Sequence, residues 1–79
     1  MPKRIFIGGV TVTTTDATIN STFAPYGTIV AAAVNRDSTG ASLGNANVEY
    51  TTDAAGTAAI AAKNGTVLDG NRISVTEAR

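Results

Sequence analysis

Hydrophobic and polar residues alternate along several short segments of the chain, and two other segments carry apolar residues at helical spacing. The segment KRIFIGG, residues 3–9, ends at two glycines and divides its side chains between two faces, Ile5 and Ile7 against Arg4 and Phe6. A period of two is typical of a strand with one buried face. We therefore predict a first strand over this segment.

Helical spacing occurs twice. The segment TDATINSTFAPYG, residues 15–27, begins with a threonine that suits an N-cap, spaces Ile19 and Phe23 four apart, and ends in Pro and Gly. The segment TTDAAGTAAIAAKNG, residues 51–65, offers Thr52 as its N-cap and ends in Asn-Gly. Gly56 costs the second helix about 1 kcal/mol relative to Ala, so we expect a close approach to the sheet there.

Two further strands are predicted between the helices. TIVAAAVN, residues 28–35, is β-branched at its ends, and the RDSTG that follows has the composition of a turn. In SLGNANVEY, residues 42–50, apolar residues alternate with polar ones, among them Asn45 and Asn47. Because Asn is depleted from strands, we assign these two residues to a face that is not core.

The closing segment TVLDGNRISVTEAR, residues 66–79, predicts a short extended piece, an Asp-Gly turn and a last strand over residues 72–76. The element order is then β-α-β-β-α-β, the ferredoxin-like α+β pattern of a four-stranded antiparallel sheet with both helices on one face. The covered face is expected to carry Ile5, Ile7, Ala32, Val34, Ala46, Val48, Tyr50, Ile73 and Val75, packed against Ile19, Phe23, Ala59 and Ile60. The open face is expected to carry Arg4, Phe6, Ala33, Asn35, Asn45, Asn47, Glu49, Arg72, Ser74 and Thr76.

The composition of the chain narrows the range of possible functions. A chain of 79 residues with 43% hydrophobic content is expected to form one domain, residues 1–79, around one small core. The absence of Cys and His removes disulfides, thiolate metal sites and the usual general base. No pair of carboxylates suggests acid–base catalysis. We therefore predict that the protein is not an enzyme and uses no metal or cofactor.

Charge and targeting add two expectations. Six basic and six acidic residues give a formal net charge of zero, so no global charge attracts nucleic acid or a membrane. The apolar run in the N-terminal MPKRIFIGGV is too short for the core of a secretory signal. We expect a monomeric, soluble, intracellular chain in the cytoplasm, with no membrane partner.

The ordered set of segments resembles the RNA recognition motif family over residues 3–79. IFIGGV resembles the strand-one hexapeptide of the family, TFAPYG the end of its first helix, RDSTG the loop after its second strand, and NGTVLDGNRISVTEAR its closing segment. The resemblance implies the ferredoxin-like fold and binding of single-stranded RNA on the open sheet face.

The strand-three octapeptide of the family corresponds to LGNANVEY, residues 43–50. Four positions that the fold demands match the family pattern: Gly44, Ala46, Val48 and Tyr50. The binding positions differ, because Leu43 replaces a basic residue and Asn45 and Asn47 replace two aromatic ones. Each missing ring forgoes about 1–3 kcal/mol of base stacking, so the resemblance implies weak binding.

Phe6 keeps the aromatic position on strand one, and we expect it to stack a base. Around it, the other expected RNA-binding residues are Arg4, Asn35, Asn45, Asn47, Arg72 and Arg79. Arg4 and Arg72 can contact phosphate or pair with Glu49, and both alternatives are open. The two asparagines can likewise contact bases or serve only to keep an open sheet soluble.

Weak binding of single-stranded RNA around Phe6 is the favoured function, with single-stranded DNA as a second ligand. One alternative is a protein-interaction module that keeps the family fold without RNA binding, because the open face lacks rings and net charge. The sequence identifies no partner for it. The other alternative is a simplified scaffold, suggested by the bias toward Ala and Thr and the absence of Gln, His, Cys and Trp.

Overall fold

The structure, a computed structural model, describes residues 3–78. Its strands and helices are, in chain order, β1 (Lys3–Gly8), α1 (Asp16–Phe23), β2 (Ile29–Arg36), β3 (Ser42–Tyr50), α2 (Asp53–Lys63), β4 (Val67–Leu68), β5 (Asn71–Arg72) and β6 (Ser74–Glu77). A short 3₁₀ helix, Ala24–Tyr26, follows α1. Both helices begin at the predicted N-caps, since the Thr15 and Thr52 hydroxyls each accept a backbone hydrogen bond from the first turn.

Strands β2, β3, β1 and β6 form one antiparallel sheet in that spatial order. Helix α1 packs mainly on β2 and helix α2 on β1 and β6, so the two helices cover one face. The predicted ferredoxin-like α+β fold is confirmed. Because β1 lies in the middle of the sheet, Phe6 has a neighbour on each side, Asn47 on β3 and Thr76 on β6.

The covered face holds the core. Most of the apolar residues predicted from alternation are buried, and Ala32 and Ile60 are half-buried against them. Val10 and Ala55 are also buried although they were not predicted, and the partly buried residues that were not predicted are Tyr26, Ile29 and Leu68. Tyr50 is fully buried, and its hydroxyl donates to the carbonyl oxygen of Phe23 at 2.6 Å. Burial, with a smaller contribution from Tyr26, raises the pKa of Tyr50 to about 12.

The prediction that the last strand covers residues 72–76 was wrong at its start, whereas residues 74–76 do lie in that strand. Arg72 lies on β5, which pairs with β4 in a separate two-stranded hairpin, and the last strand of the main sheet begins at Ser74. The turn between β4 and β5 has φ values of 51° at Asp69 and 84° at Gly70. Two left-handed residues in succession are typical of a tight two-residue hairpin, which pairs the flanking residues with each other instead of with β1.

Each edge strand is hydrogen-bonded to a residue at one end of a helix. Asp16, at the start of α1, accepts a hydrogen bond from the backbone N–H of Val34 on β2 at 2.8 Å. Asn64, just after α2, accepts from the backbone N–H of Val75 on β6 at 3.0 Å. These bonds satisfy outward-facing donors at both edges and hold the helices over the sheet.

Helix α2 approaches β1 closely at Gly56, as predicted. A Cβ atom on Gly56 would lie 2.2 Å from Cγ and 2.9 Å from Cβ of Lys3. The Lys3 side chain is only 17% exposed, and its amine reaches Glu77 at 2.5 Å. That hydrogen bond raises the pKa of Lys3 above its ordinary value.

Candidate nucleic-acid interface

The strand register arranges the open-face side chains in rows across the sheet. The central row, from β2 to β6, is Ala33, Asn47, Phe6 and Thr76. The row on one side is Ala31, Glu49 and Arg4, and the row on the other side includes Asn45, Gly8 and Ser74. Most of the predicted site residues therefore lie within one row of Phe6.

Phe6 presents an aromatic surface near the centre of this face. The residue is 36% exposed, whereas its neighbours along the strand, Ile5 and Ile7, are fully buried on the other face. A Cβ atom on Gly8 would lie 3.6 Å from Cε2 of Phe6 and 3.1 Å from Oγ of Ser74. The Phe6 ring therefore lies beside the bare backbone of Gly8, and its exposed surface can serve as a stacking platform for a base.

Three asparagines on this face are joined by hydrogen bonds. Nδ2 of Asn35 donates to Oδ1 of Asn45 at 2.5 Å, and Nδ2 of Asn47 donates to Oδ1 of Asn35 at 3.4 Å. The hydrogen bonds described for residues 3–78 use neither Nδ2 of Asn45 nor Oδ1 of Asn47. A donor group and an acceptor group therefore remain at the two ends of the chain of amides.

Arg4 pairs with Glu49 across β1 and β3. Nη2 of Arg4 lies 3.7 Å from Oε1 of Glu49, and the side chains are 59% and 28% exposed. For Arg4, the structure thus shows the ion-pairing alternative. A pair this long and this exposed is worth about 1 kcal/mol or less, so it leaves the guanidinium able to contact an anion.

A shallow hollow of about 230 Å³ lies beside this ion pair. Its lining includes the small residues Ala31 and Ala33 of β2, with Asn47, Glu49 and Arg4 around them. Ala33 was predicted on the open face, whereas Ala31 was not. Continuing the alternation of β2 back from Ala33 by two residues would have found it.

The remaining predicted residues lie elsewhere. Arg72 is outside the four-stranded sheet, contrary to the expectation, but it lines a second hollow of about 360 Å³ together with Gly8 and Ser74. Arg79 lies outside the described residues. The structure therefore brings five of the seven predicted residues together on the open face: Arg4, Phe6, Asn35, Asn45 and Asn47.

Two other functional features are absent from residues 3–78, a cluster of metal-ligating side chains and a membrane-spanning helix. Within residues 3–78, no group of three or more His, Cys, Asp or Glu side chains is placed to hold a metal ion. Neither helix there combines the length and the apolar character that crossing a membrane requires. The open face remains the best-formed candidate site.

Two features define the class of the protein: the β-α-β-β-α-β fold, and an exposed aromatic ring on β1, an inner strand, at the open face of the sheet. The family model described as RNA recognition motif matches residues 5–74. The chain belongs to the RNA recognition motif family, which confirms the resemblance seen in the sequence.

Two curated relatives and one solved structure illustrate the membership. The chain is 38% identical over 78 residues to Organelle RRM domain-containing protein 1, chloroplastic, of Zea mays, covering 98% of this chain and 20% of that protein. It is 39% identical over 79 residues to Glycine-rich RNA-binding protein 2, mitochondrial, of Arabidopsis thaliana, covering 99% of this chain and 50% of that protein.

The solved structure of the Sex-lethal RNA recognition domains 1 and 2 from Drosophila melanogaster superposes with a TM-score of 0.92. The sequences are 28% identical, and the match covers 98% of this chain and 50% of that chain. The chain thus spans half or less of the length of each of these three proteins.

Proposed function

We propose that the domain formed by residues 1–79 binds single-stranded RNA weakly, as a monomer, on the open sheet face around Phe6. The observation that carries the proposal is the exposed ring of Phe6 on the central strand β1, opposite the face on which both helices pack. Family membership supports it, as does the name of the Arabidopsis relative, an RNA-binding protein. In this proposal a base of the RNA stacks on the Phe6 ring.

The binding is weak because two stacking rings are missing. Asn45 and Asn47 stand at the aromatic positions of the family octapeptide, and each absent ring forgoes about 1–3 kcal/mol. Two such losses correspond to roughly 30-fold to 10⁴-fold in affinity. The formal net charge of zero adds no general attraction to phosphate.

The polar residues supply the remaining contacts. The free amide ends at Asn45 and Asn47 hydrogen-bond to base edges that an unstacked single strand exposes. Arg4 contacts a phosphate from its exposed position, and Arg72 does so from the margin of the sheet. Arg79 is proposed as a further RNA contact.

The names of two relatives state a subcellular location for those proteins. The name of the maize relative places that protein in the chloroplast, and the name of the Arabidopsis relative places that protein in the mitochondrion. The cytoplasmic location expected for this chain stays a prediction, as does the absence of enzymatic activity.

The test is binding of random-sequence short RNA and DNA strands at two salt concentrations. Each phosphate contact with a single strand contributes about −0.7 to the slope of log affinity against log salt. Three arginines at most take part, so we expect RNA binding with a slope no steeper than about −2. Absence of binding at low salt would contradict the proposal and favour the protein-interaction alternative. Equal binding of DNA would show that the site does not recognise the 2′-hydroxyl.

A further inference from the structure

The hollow beside the Arg4–Glu49 pair, called the alanine hollow below, is lined by Arg4, Ala31–Ala33, Asn47, Val48 and Glu49. Ala31 lies directly opposite Glu49 in the strand register, and Ala33 lies directly opposite Asn47. The two methyl groups form a low apolar floor, and the polar side chains rise beside it. At about 230 Å³ the hollow is below the roughly 300–1,000 Å³ of a site for a drug-sized molecule, so it suits one flat ring system.

Glu49 is an unexpected residue for this position if the face binds RNA. A carboxylate repels the phosphates of the ligand, and this one is only 28% exposed among small neighbours. Arg4 partly offsets that repulsion from 3.7 Å. The same carboxylate can accept hydrogen bonds from donor groups on the ligand.

We propose that the alanine hollow holds a guanine base, which rests on the RNA binding proposed above. A carboxylate accepts two parallel hydrogen bonds, and guanine offers two adjacent donors, N1–H and the N2 amino group, on its Watson–Crick edge. One N–H group of Arg4, adjacent to Glu49, donates to the neighbouring O6 of guanine, and the other N–H groups of the guanidinium are left for the phosphate contact proposed above. The ion pair thus presents one donor and two acceptors, in the order that complements this base.

The other bases fit this arrangement poorly. Adenine and cytosine place a ring nitrogen acceptor beside their single amino group, so that an acceptor would face the carboxylate. Uracil has one N–H between two carbonyl oxygens. A base lying flat on Ala31 and Ala33 is also close to Asn47, which separates the hollow from Phe6 in the row pattern. The hollow and the Phe6 ring would hold different nucleotides of one strand.

The test uses a short uridine oligonucleotide with a single central G, compared with the same strand carrying A, C, U or inosine there. A good bidentate pair discriminates against the wrong base by about tenfold, so we expect the G strand to bind about tenfold tighter than the A, C and U strands. Inosine lacks the N2 amino group and is expected to lose most of this advantage. Equal binding of all five strands would overturn the guanine assignment.

Three variants test whether the preference for the G strand comes from the alanine hollow. Glu49→Gln and Ala31→Ile are each expected to abolish it, the first by removing the second acceptor and the second by filling the floor. Asp53→Asn is the matched control, because it removes the same charge from an exposed position at the start of α2. A preference for G that survives both Glu49→Gln and Ala31→Ile would overturn the proposal.

Phe6→Ala separates this proposal from the broader one. We expect this variant to lower the affinity for all five strands by a similar factor. The ratio between the affinities for the G strand and the A strand should stay the same. If strands bind in a Phe6-dependent way without preference for G, the guanine assignment fails and the RNA-binding proposal stands. If no strand binds, both fail.

Discussion

Nδ2 of Asn35 donates a hydrogen bond to Oδ1 of Asn45 across β2 and β3, with 2.5 Å between the two atoms. The sequence offered two interpretations of the asparagines on β3, contact with bases or simple solubility of an open sheet. The structure adds that both are hydrogen-bonded to Asn35 on β2, because Asn47 also donates to this residue. Asn35 thus bonds to both asparagines of β3, and Nδ2 of Asn45 and Oδ1 of Asn47 are left for other partners.

Restoring a ring tests how much the asparagines weaken binding. We expect Asn47→Phe to raise the affinity for short single-stranded RNA by roughly 5-fold to 150-fold, equivalent to about 1–3 kcal/mol of stacking. Fluorescence anisotropy of labelled RNA measures the change. Asn20→Phe, which adds a ring at an exposed position of α1, is the control and should leave affinity unchanged. Equal affinities of Asn47→Phe and the parent chain would contradict the account.

Removing the remaining ring has the opposite effect. Phe6→Ala is expected to lower the affinity for RNA by about tenfold or more, because one stacking platform is lost. The same anisotropy titration measures it. Val67→Ala, which trims an exposed apolar side chain on β4 outside the main sheet, is the matched control. A loss in the control as large as the loss in Phe6→Ala would show that the site is misplaced.

The Tyr50 hydroxyl stabilises the fold from inside the core. Tyr50→Phe removes the 2.6 Å hydrogen bond to the Phe23 carbonyl and leaves that oxygen without this donor. We expect the free energy of unfolding to fall by about 1–3 kcal/mol, with RNA affinity unchanged under folded conditions. Urea denaturation measures the fall. An unchanged midpoint at an unchanged slope would mean that water or another group replaces the bond.

The raised pKa of Tyr50 predicts that the stability of the fold depends on pH in the alkaline range. The pKa of Tyr50 is about 12 in the folded chain against an ordinary 10.0, so folding favours the protonated form. The contribution to stability is therefore fully present below pH 10 and is lost as pH rises toward 12, at about 1.4 kcal/mol per pH unit. Denaturation across this pH range should show that the free energy of unfolding falls less steeply in Tyr50→Phe than in the parent chain. Parallel curves for the two proteins would contradict the prediction.

The contact between Gly56 and Lys3 makes an unusual stability prediction. Ala is the better helix former by about 1 kcal/mol, yet Gly56→Ala is expected to destabilise the fold, because the new methyl group would overlap the stem of Lys3. In a Lys3→Ala background the cost should shrink, since the nearest overlapping atom, Cγ, is gone. Thermal unfolding of the four chains measures the coupling. Thr57→Ala, at an exposed position of the same helix, is the control for helix propensity.

The fold was largely predictable because each face of the sheet repeats every second residue. Alternation placed Ile5, Val48 and Val75 on the buried face, and it placed Phe6 and Asn47 opposite them. The helix starts were predictable because a threonine hydroxyl satisfies the first free N–H groups in both cases.

The site was less predictable because it depends on pairing between distant strands. Asn35 meets Asn45 only through the register of β2 and β3, which is irregular at both ends of the paired region. The pairing of Ala31 with Glu49 depends on the same register. Arg72 was misplaced because three alternating residues fit a longer last strand as well as they fit a hairpin, and the tight turn at Asp69 decides between them.

The central claim, that RNA lies on the open sheet face around Phe6, is tested most directly by nuclear magnetic resonance. A ¹⁵N-labelled chain is titrated at low salt with a short single-stranded RNA, and backbone and asparagine side-chain signals are followed. We predict shifts concentrated at Phe6, Asn45 and Asn47, with little change at Ala58 and Ala61, which are exposed on α2. No shift on the sheet at millimolar RNA, or shifts confined to the helices, would contradict the account.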